Sequence, residues 1–361
     1  MDLGIIGLER SGKTALFQAL LRGHAPARTG GAEPSIGVLK VPDERLDRLC
    51  ALLKPRKVTY VEARYLDVPG AFSARGEGPA AAYLAALSQC DALVHVVRAF
   101  HDESVPHPSG SVDPARDVAA VDLELAFADL TMLQRRHERL EISVRSARAG
   151  EREAGERELA LVQRLSAGLE REEPLRRQEL SKEERRLISG SQLLTSKPIV
   201  IVVNIDEADV VRAGEIEAEL AASAPGPDTA VVALCAKLEQ ELAELPPEEA
   251  SQFRQGLGLR EGGLDQVLQL SQQVLGVITF FTVGDPEGRA WALASGSTAL
   301  EAAGKIHTDM ARGFIRAEVI GTEELLDCGS YAEARKRGLL RTEGKQYVVQ
   351  DGDVLHVLFN V

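Results

Sequence analysis

Gly7-Leu8-Glu9-Arg10-Ser11-Gly12-Lys13-Thr14 is a complete G-x-x-x-x-G-K-[ST] pattern. The apolar run 3–6 precedes it, and Leu16, Phe17, Leu20 and Leu21 follow at helical spacing. A strand, a glycine turn and a helix give the pattern a mechanism. The glycines let the backbone curl, so that N–H groups along Arg10, Ser11, Gly12, Lys13, Thr14 and Ala15 face a phosphate chain at a helix N-terminus. Lys13 then reaches the β/γ oxygens, and Thr14 offers its hydroxyl to Mg2+.

Further short strands are expected at 64–66, 92–97, 199–203 and 230–234. ALVHVV and IVIVV are nearly continuous apolar runs, as in parallel strands buried on both faces. The fold class expected is therefore α/β, a doubly wound and mostly parallel sheet. Asp67-Val68-Pro69-Gly70 follows the strand end Tyr65-Leu66. In P-loop switch proteins such a D-x-x-G places its Asp on Mg2+, and the Gly N–H senses the γ-phosphate. Asp67 thus joins Thr14 as a candidate metal ligand, and Gly70 joins Lys13 as a candidate catalytic residue. IVIVV ends in Asn204-Ile205-Asp206-Glu207, where guanine-specific proteins carry N-K-x-D. That Asp takes two hydrogen bonds from guanine. The extra methylene of Glu207 displaces the carboxylate by on the order of 1 Å, which weakens guanine selectivity. Cys235-Ala236-Lys237, after the next strand, has the place of the loop that packs on the base. Asn204, Ile205, Glu207, Cys235 and Ala236 are the candidate base site.

The totals set bounds on this reading. A chain of 361 residues makes two or three domains at about 100–200 residues each. The net charge of -13 argues against a general nucleic-acid coat, so no DNA partner is expected. Cys50, Cys90, Cys235 and Cys328 form no CxxC pair, which fits a reducing compartment. Charged residues interrupt the N-terminal run, and no stretch approaches the roughly 18–20 apolar residues of a membrane span. A cytoplasmic, soluble protein with no membrane partner is expected.

About a hundred residues separate Val97 from Ile199, where a crossover needs only one helix. Leu123, Leu125, Ala126, Leu130 and Leu133 are spaced for a helix face, and a second helical stretch runs from about Glu156 to Leu169 beyond Ala149-Gly150. An antiparallel, coiled-coil-like hairpin over 118–193 is predicted, with a capping box at Ser181–Glu184 opening another helix. From 131 to 190 there are 14 Lys+Arg against 12 Asp+Glu. This slightly basic insert reads either as a solvated face or as a docking arm for a ribosome or RNA backbone. From about Ile278 the character changes again. ITFF is strand-like, a helix begins near Ser297, and YVVQDGDVLHVLFNV reads as two strands about an Asp351-Gly352 turn. The expected domains are a P-loop domain over 1–277, interrupted by the arm, and a β-grasp domain over 278–361.

With these residues assembled, the chain resembles the YchF family of Obg-like ATPases over nearly its whole length. The Asn204–Glu207 segment matches the family's N-x-x-E. VPDERLDRL (41–49), CDALVHVVR (90–98), VDPARDVAAVDLELAFADL (112–130), AGKIHTDMARGFIRAEVI (303–320) and the C-terminal fifteen residues have its look. The resemblance implies an ATP/Mg2+ site, slow hydrolysis, a helical arm, a C-terminal TGS domain, and association with ribosomes or with translation and stress regulation. The chain departs from the family pattern around the phosphates. Glu9, Arg10, Ser11 and Ala15 replace the family's Pro, Asn, Val and Thr. Arg10 cannot ligate a monovalent cation as that Asn does in related proteins. Its guanidinium either supplies the positive charge itself or points into solvent. In switch I, Gly31 stands where the metal-binding Thr belongs, with Thr29 two residues away. The run after Gly70, AFSARGEG (71–78), is two residues short and offers no Gln or His directly after Gly70.

His95 is read as a core histidine, Trp291 with Phe280 and Phe281 as β-grasp core, and His307 as a packing or partner residue. The expected function is a Mg2+-dependent ATP-hydrolysing switch associated with ribosomes. A nucleotide sensor with little hydrolysis and a GTPase are the alternatives.

Overall fold

The computed structural model describes residues 1–21, 34–70, 72, 79–224, 226, 228–256 and 262–360. Thr29, Gly31 and most of the 71–78 run lie outside them. Two compact units emerge, one of residues 1–38 and 64–274, the other of 39–63 and 275–361. Sequence reading put 39–63 in the first domain. It clusters instead with the C-terminal unit, for reasons of pairing given below.

The chain begins with β1 (Asp2–Ile6), α1 (Lys13–Leu20), β2 (Ser35–Val41), α2 (Glu44–Leu53), β3 (Lys57–Thr59) and β4 (Val61–Asp67). Next come α3 (Ala81–Ser88), β5 (Ala92–Arg98), α4 (Pro114–Ser146), α5 (Ala149–Glu170) and α6 (Lys182–Ile188). β6 (Ile199–Asn204), α7 (Ala213–Ser223), β7 (Thr229–Leu234), α8 (Ala236–Ala243), α9 (Pro247–Gly256) and α10 (Gly263–Val274) follow, and all of these but α2 and β3 lie wholly or mainly in the first unit. Its sheet runs β2-β4-β1-β5-β6-β7, parallel from β4 through β7. Every residue of β5 and β6 is buried, as expected of nearly continuous apolar runs in central parallel strands. His95, in the middle of β5, is buried with neither ring nitrogen bonded to a described group, and burial lowers its pKa to about 4. It is a neutral core histidine, as read.

The insert is an antiparallel pair of helices. At 33 residues α4 is about 50 Å long. It starts at Asp113, whose side chain accepts from the Arg116 N–H, and at Pro114 in the first turn. The break falls at Ala147 and Arg148, both extended, and α5 begins at once rather than near Glu156. Gly150 lies in its first turn beside Glu151, which favours the helix N-terminus electrostatically. Leu133, Leu161, Val162, Leu165 and Leu169 bury the seam. At the root of α4, Val121 and Leu125 pack with Leu93 of β5 and with Phe72. There Asp129 accepts from the N–H groups of Leu194 and Thr195 and from the Thr195 hydroxyl, at 2.6–2.8 Å. Burial raises its pKa while these bonds oppose the shift. The Ser181 capping box is present. No helix among the described residues is long and apolar enough to cross a membrane.

The second unit adds β8 (Val277–Val283), β9 (Glu287–Ala294), α11 (Ala299–Ile306), α12 (Thr308–Arg312), β10 (Phe314–Gly321), α13 (Thr322–Cys328), α14 (Tyr331–Lys336), β11 (Arg341–Glu343) and β12 (Asp353–Phe359). The sheet order is β11-β10-β12-β8-β9-β3. β3 is therefore an edge strand of this sheet, parallel to β9, which is why 39–63 belongs here. Arg45 bonds Asp351 at 2.6 Å, and Arg48 binds Glu323 through two 2.8 Å bonds. The expected terminal hairpin does not form among the described residues. The segment before Asp351 bonds the start of α11 through Ala299 N–H to Tyr347 O and Val349 N–H to Ser297 O. That leaves β12 to pair with β10 and β8. Phe280, together with Trp291 packed against it, sits in the core as read.

Candidate nucleotide site

Parallel register brings the motif residues to one end of the sheet. Asp67, the last residue of β4, lies opposite Ile5, two positions before Gly7. Asn204 ends β6 beside Arg98 of β5 and Leu234 of β7. The crevice beyond the carboxyl ends of such strands is where open α/β sheets bind ligands.

At two glycines an added side chain would meet a neighbour well inside contact distance. Gly7 has φ 147°, and a Cβ there would lie 2.4 Å from the Val96 carbonyl oxygen. Gly12 has φ 97°, and its Cβ would lie 2.2 Å from Asn204 Nδ2. Asn204 closes on the loop from the opposite side. Its Nδ2 donates to Ser11 O at 3.1 Å, and its Oδ1 accepts from Ala236 N–H at 3.0 Å. A single buried amide thus fastens the P-loop to the Cys235-Ala236 loop. Ser11 is buried, and its Oγ bonds no described group.

Lys13 donates to Gly7 O at 3.0 Å and Leu8 O at 2.7 Å. Burial lowers its pKa to about 8, against the raising influence of Asp67 and Glu9. Thr14 Oγ1 donates to Asp67 Oδ2 at 3.3 Å, and Asp67 is only 3% exposed. A hydroxyl and a carboxylate side by side are hard oxygen donors, which fit Mg2+. Gly70 is exposed, with φ 128°. Phe72, two residues on, is fully buried and bridges Leu8, its N–H donating to Gly7 O at 3.4 Å.

Arg10 adopts φ 61°, and its guanidinium donates to the Pro106 carbonyl at 3.0 Å. The loop after β5 therefore borders the P-loop, a relation with no local signal in the sequence. His107 in this loop bonds Asp117 at 2.8 Å, with both side chains almost wholly buried. Arg98 is buried and lies 4.3 Å from the centroid of the Phe100 ring, while donating to Phe100 O. That ring approaches to 4.0 Å of a Cβ placed on Gly12. Arg98 and Phe100 were missed by sequence reading, although an Arg and an aromatic directly after a buried strand were available as a signal. On the base side, Ile205 is buried in the core and Glu207 is exposed, while Asp206 accepts from His101 N–H at 2.9 Å. Cys235 and Ala236 are buried and open α8.

A P-loop on β1, an Asp at the end of β4 and an Asn-led segment at the end of β6 define a P-loop nucleoside triphosphatase of the switch class. Residues 277–360 match the family described as YchF-GTPase_C, protein of unknown function (DUF933). The Bacillus subtilis (strain 168) protein named ribosome-binding ATPase YchF is 40% identical, with all of both chains covered. Its namesake from Escherichia coli O157:H7 is 37% identical over 99% of each. The solved Schizosaccharomyces pombe YchF GTPase superposes with a TM-score of 0.86 at 29% identity, covering 99% of this chain and 97% of the other. The chain belongs to the YchF family.

Proposed function

We propose that this protein binds ATP with Mg2+ at the carboxyl ends of β1, β4, β6 and β7 and hydrolyses it slowly, as a switch for association with the ribosome. The observation that carries the reading is the convergence of Lys13, Thr14 and Asp67, with Asn204 holding the P-loop and base loop together. Lys13 neutralises β/γ charge, the N–H groups of residues 10–15 cradle the phosphates, and the Gly70 N–H faces the γ-phosphate. Thr14 and Asp67 would hold Mg2+, which would supply charge neutralisation at the phosphate oxygens. The relatives are named both ATPase and GTPase. Glu207, in place of the guanine-reading Asp, supports ATP. Ribosome association rests on the names of the bacterial relatives, ribosome-binding ATPase YchF.

Calorimetry with Mg2+, wild type beside Lys13→Ala, tests the reading. ATP is expected to bind more tightly than GTP, and binding should vanish in the variant. Preference for GTP would overturn the reading of Glu207. The second reading, a sensor with little hydrolysis, is favoured by the sequence: Ala71 follows Gly70 directly, where no Gln or His stands to orient water. Phosphate release under single-turnover conditions separates the two.

The Lys13 ammonium gives a pH signature. With its pKa near 8 it is protonated at pH 7, and bound phosphates raise its pKa further. ATP affinity is therefore expected to be level below about pH 7.5 and to fall up to about tenfold per unit above 8. Lys13→Arg, which keeps the charge, should flatten the profile. An unchanged profile in that variant would assign the titration elsewhere.

A further inference from the structure

The second unit contains a cleft of about 650 Å3 that the nucleotide reading leaves unused. It forms where two parallel strands diverge. β12 and β8 are paired at Val354 and Phe281, and beyond that point their described registers no longer meet. β12 stays paired to β10 on its other side down to Phe359, and β8 to β9 up to Val283. Past the Leu355 N–H, which belongs to that pair, β12 thus turns an unpaired edge toward the cleft. On the facing side the Val283 carbonyl, the last of β8, accepts from the Tyr331 hydroxyl at 2.8 Å.

The walls of the cleft differ across the plane of the sheet. Leu355 and Val357 belong to the apolar core layer with Ile306 and Met310. His356, of opposite parity, bonds Glu318, which also holds Arg335 at 2.8 Å. A chain lying against β12 would alternate its side chains between an apolar and a polar layer. The lining holds the carboxylates of Asp285, Glu287 and Glu318 against the single permanent cation Arg335. Arg56 and Lys57 reach Asp285 and Glu287 at 3.4 and 3.2 Å, but both are mostly exposed. Such surface pairs are weak, and a ligand's own cation can replace them. With those exposed pairs opened, three lining carboxylates against one lining cation favour Lys or Arg over phosphate.

We propose that this cleft binds an extended, lysine- or arginine-bearing peptide segment of a partner protein by strand addition to β12. Its apolar side chains enter the layer of Val357 and Met310, and its basic ones meet the carboxylates. The inference does not depend on the nucleotide reading.

The test uses the full chain and a fluorescent peptide of alternating lysine and valine, eight residues long. Its partners are the same peptide N-methylated at every second residue and an eight-nucleotide RNA. Gly284 lines the cleft with open space where a Cβ would stand, so Gly284→Trp should obstruct it without disturbing the fold. Saturable binding of the lysine–valine peptide is expected, with amide shifts centred on 355–359. Affinity should fall at least tenfold on N-methylation and in Gly284→Trp, with melting temperature and ATP affinity unchanged. No binding at millimolar peptide, equal binding of the N-methylated peptide, or RNA binding at the same amides would each overturn the proposal.

Discussion

Gly12→Ala is expected to lower ATP affinity by about 100-fold or more while leaving the protein folded. Two physical effects act together. The backbone at φ 97° is one that side chains rarely adopt, and the added methyl would stand 2.2 Å from Asn204 Nδ2. If Asn204 withdraws, Ser11 O and the Ala236 N–H lose their partner, each at about 1–3 kcal/mol for a buried group. Either route unfastens the loop that must present its N–H groups to the phosphates. Calorimetry with ATP and Mg2+ checks this. Gly190→Ala, at a glycine with open space around it, serves as the control and should bind as wild type. Asn204→Ala should lose affinity as well, and the double variant should be no worse than the poorer single one, because both changes break the same latch. Additive losses would show that the two residues act separately.

Asp67→Asn keeps the shape of the side chain and removes its charge. Hydrolysis is expected to fall about 100-fold or more, equivalent to roughly 2.7 kcal/mol of transition-state stabilisation. The Mg2+ concentration that gives half-maximal ATP affinity should rise at least tenfold. The same change withdraws a carboxylate that raises the Lys13 pKa. The pH above which ATP affinity falls should therefore move downward from its wild-type position near 8. A variant with lower turnover but unaltered Mg2+ dependence would show that Asp67 acts on the loop rather than on the metal.

The P-loop was legible because its chemistry is local. Eight consecutive residues carry the glycines, the lysine and the hydroxyl, and the flanking runs declare a strand and a helix. Asp67 and Asn204 could be placed for a similar reason. Each ends a buried parallel strand, and parallel pairing brings such strand ends to one edge. The insert was legible from its length and leucine spacing. Its turn was misplaced because a glycine in a helix's first turn looks like a break when neighbouring caps cannot be seen.

Other relations depend on partners far apart in sequence. Arg10 meets Pro106 across 96 residues, and Asn204 meets Ser11 across 193. No local pattern encodes either. The C-terminal hairpin was expected from a DG turn between apolar runs, yet Tyr347–Val349 found its partners beside α11. Residues 39–63 look like part of the first domain by position alone. The pairing of β3 with β9 and the bidentate Arg48–Glu323 bridge, across 275 residues, assign them to the second unit. The sequence by itself thus determined the fold class, the P-loop and the identity of the residues at the strand ends. Tertiary structure decided which backbone groups those side chains hold, because a hydrogen-bond partner is set by packing in space and not by neighbourhood along the chain.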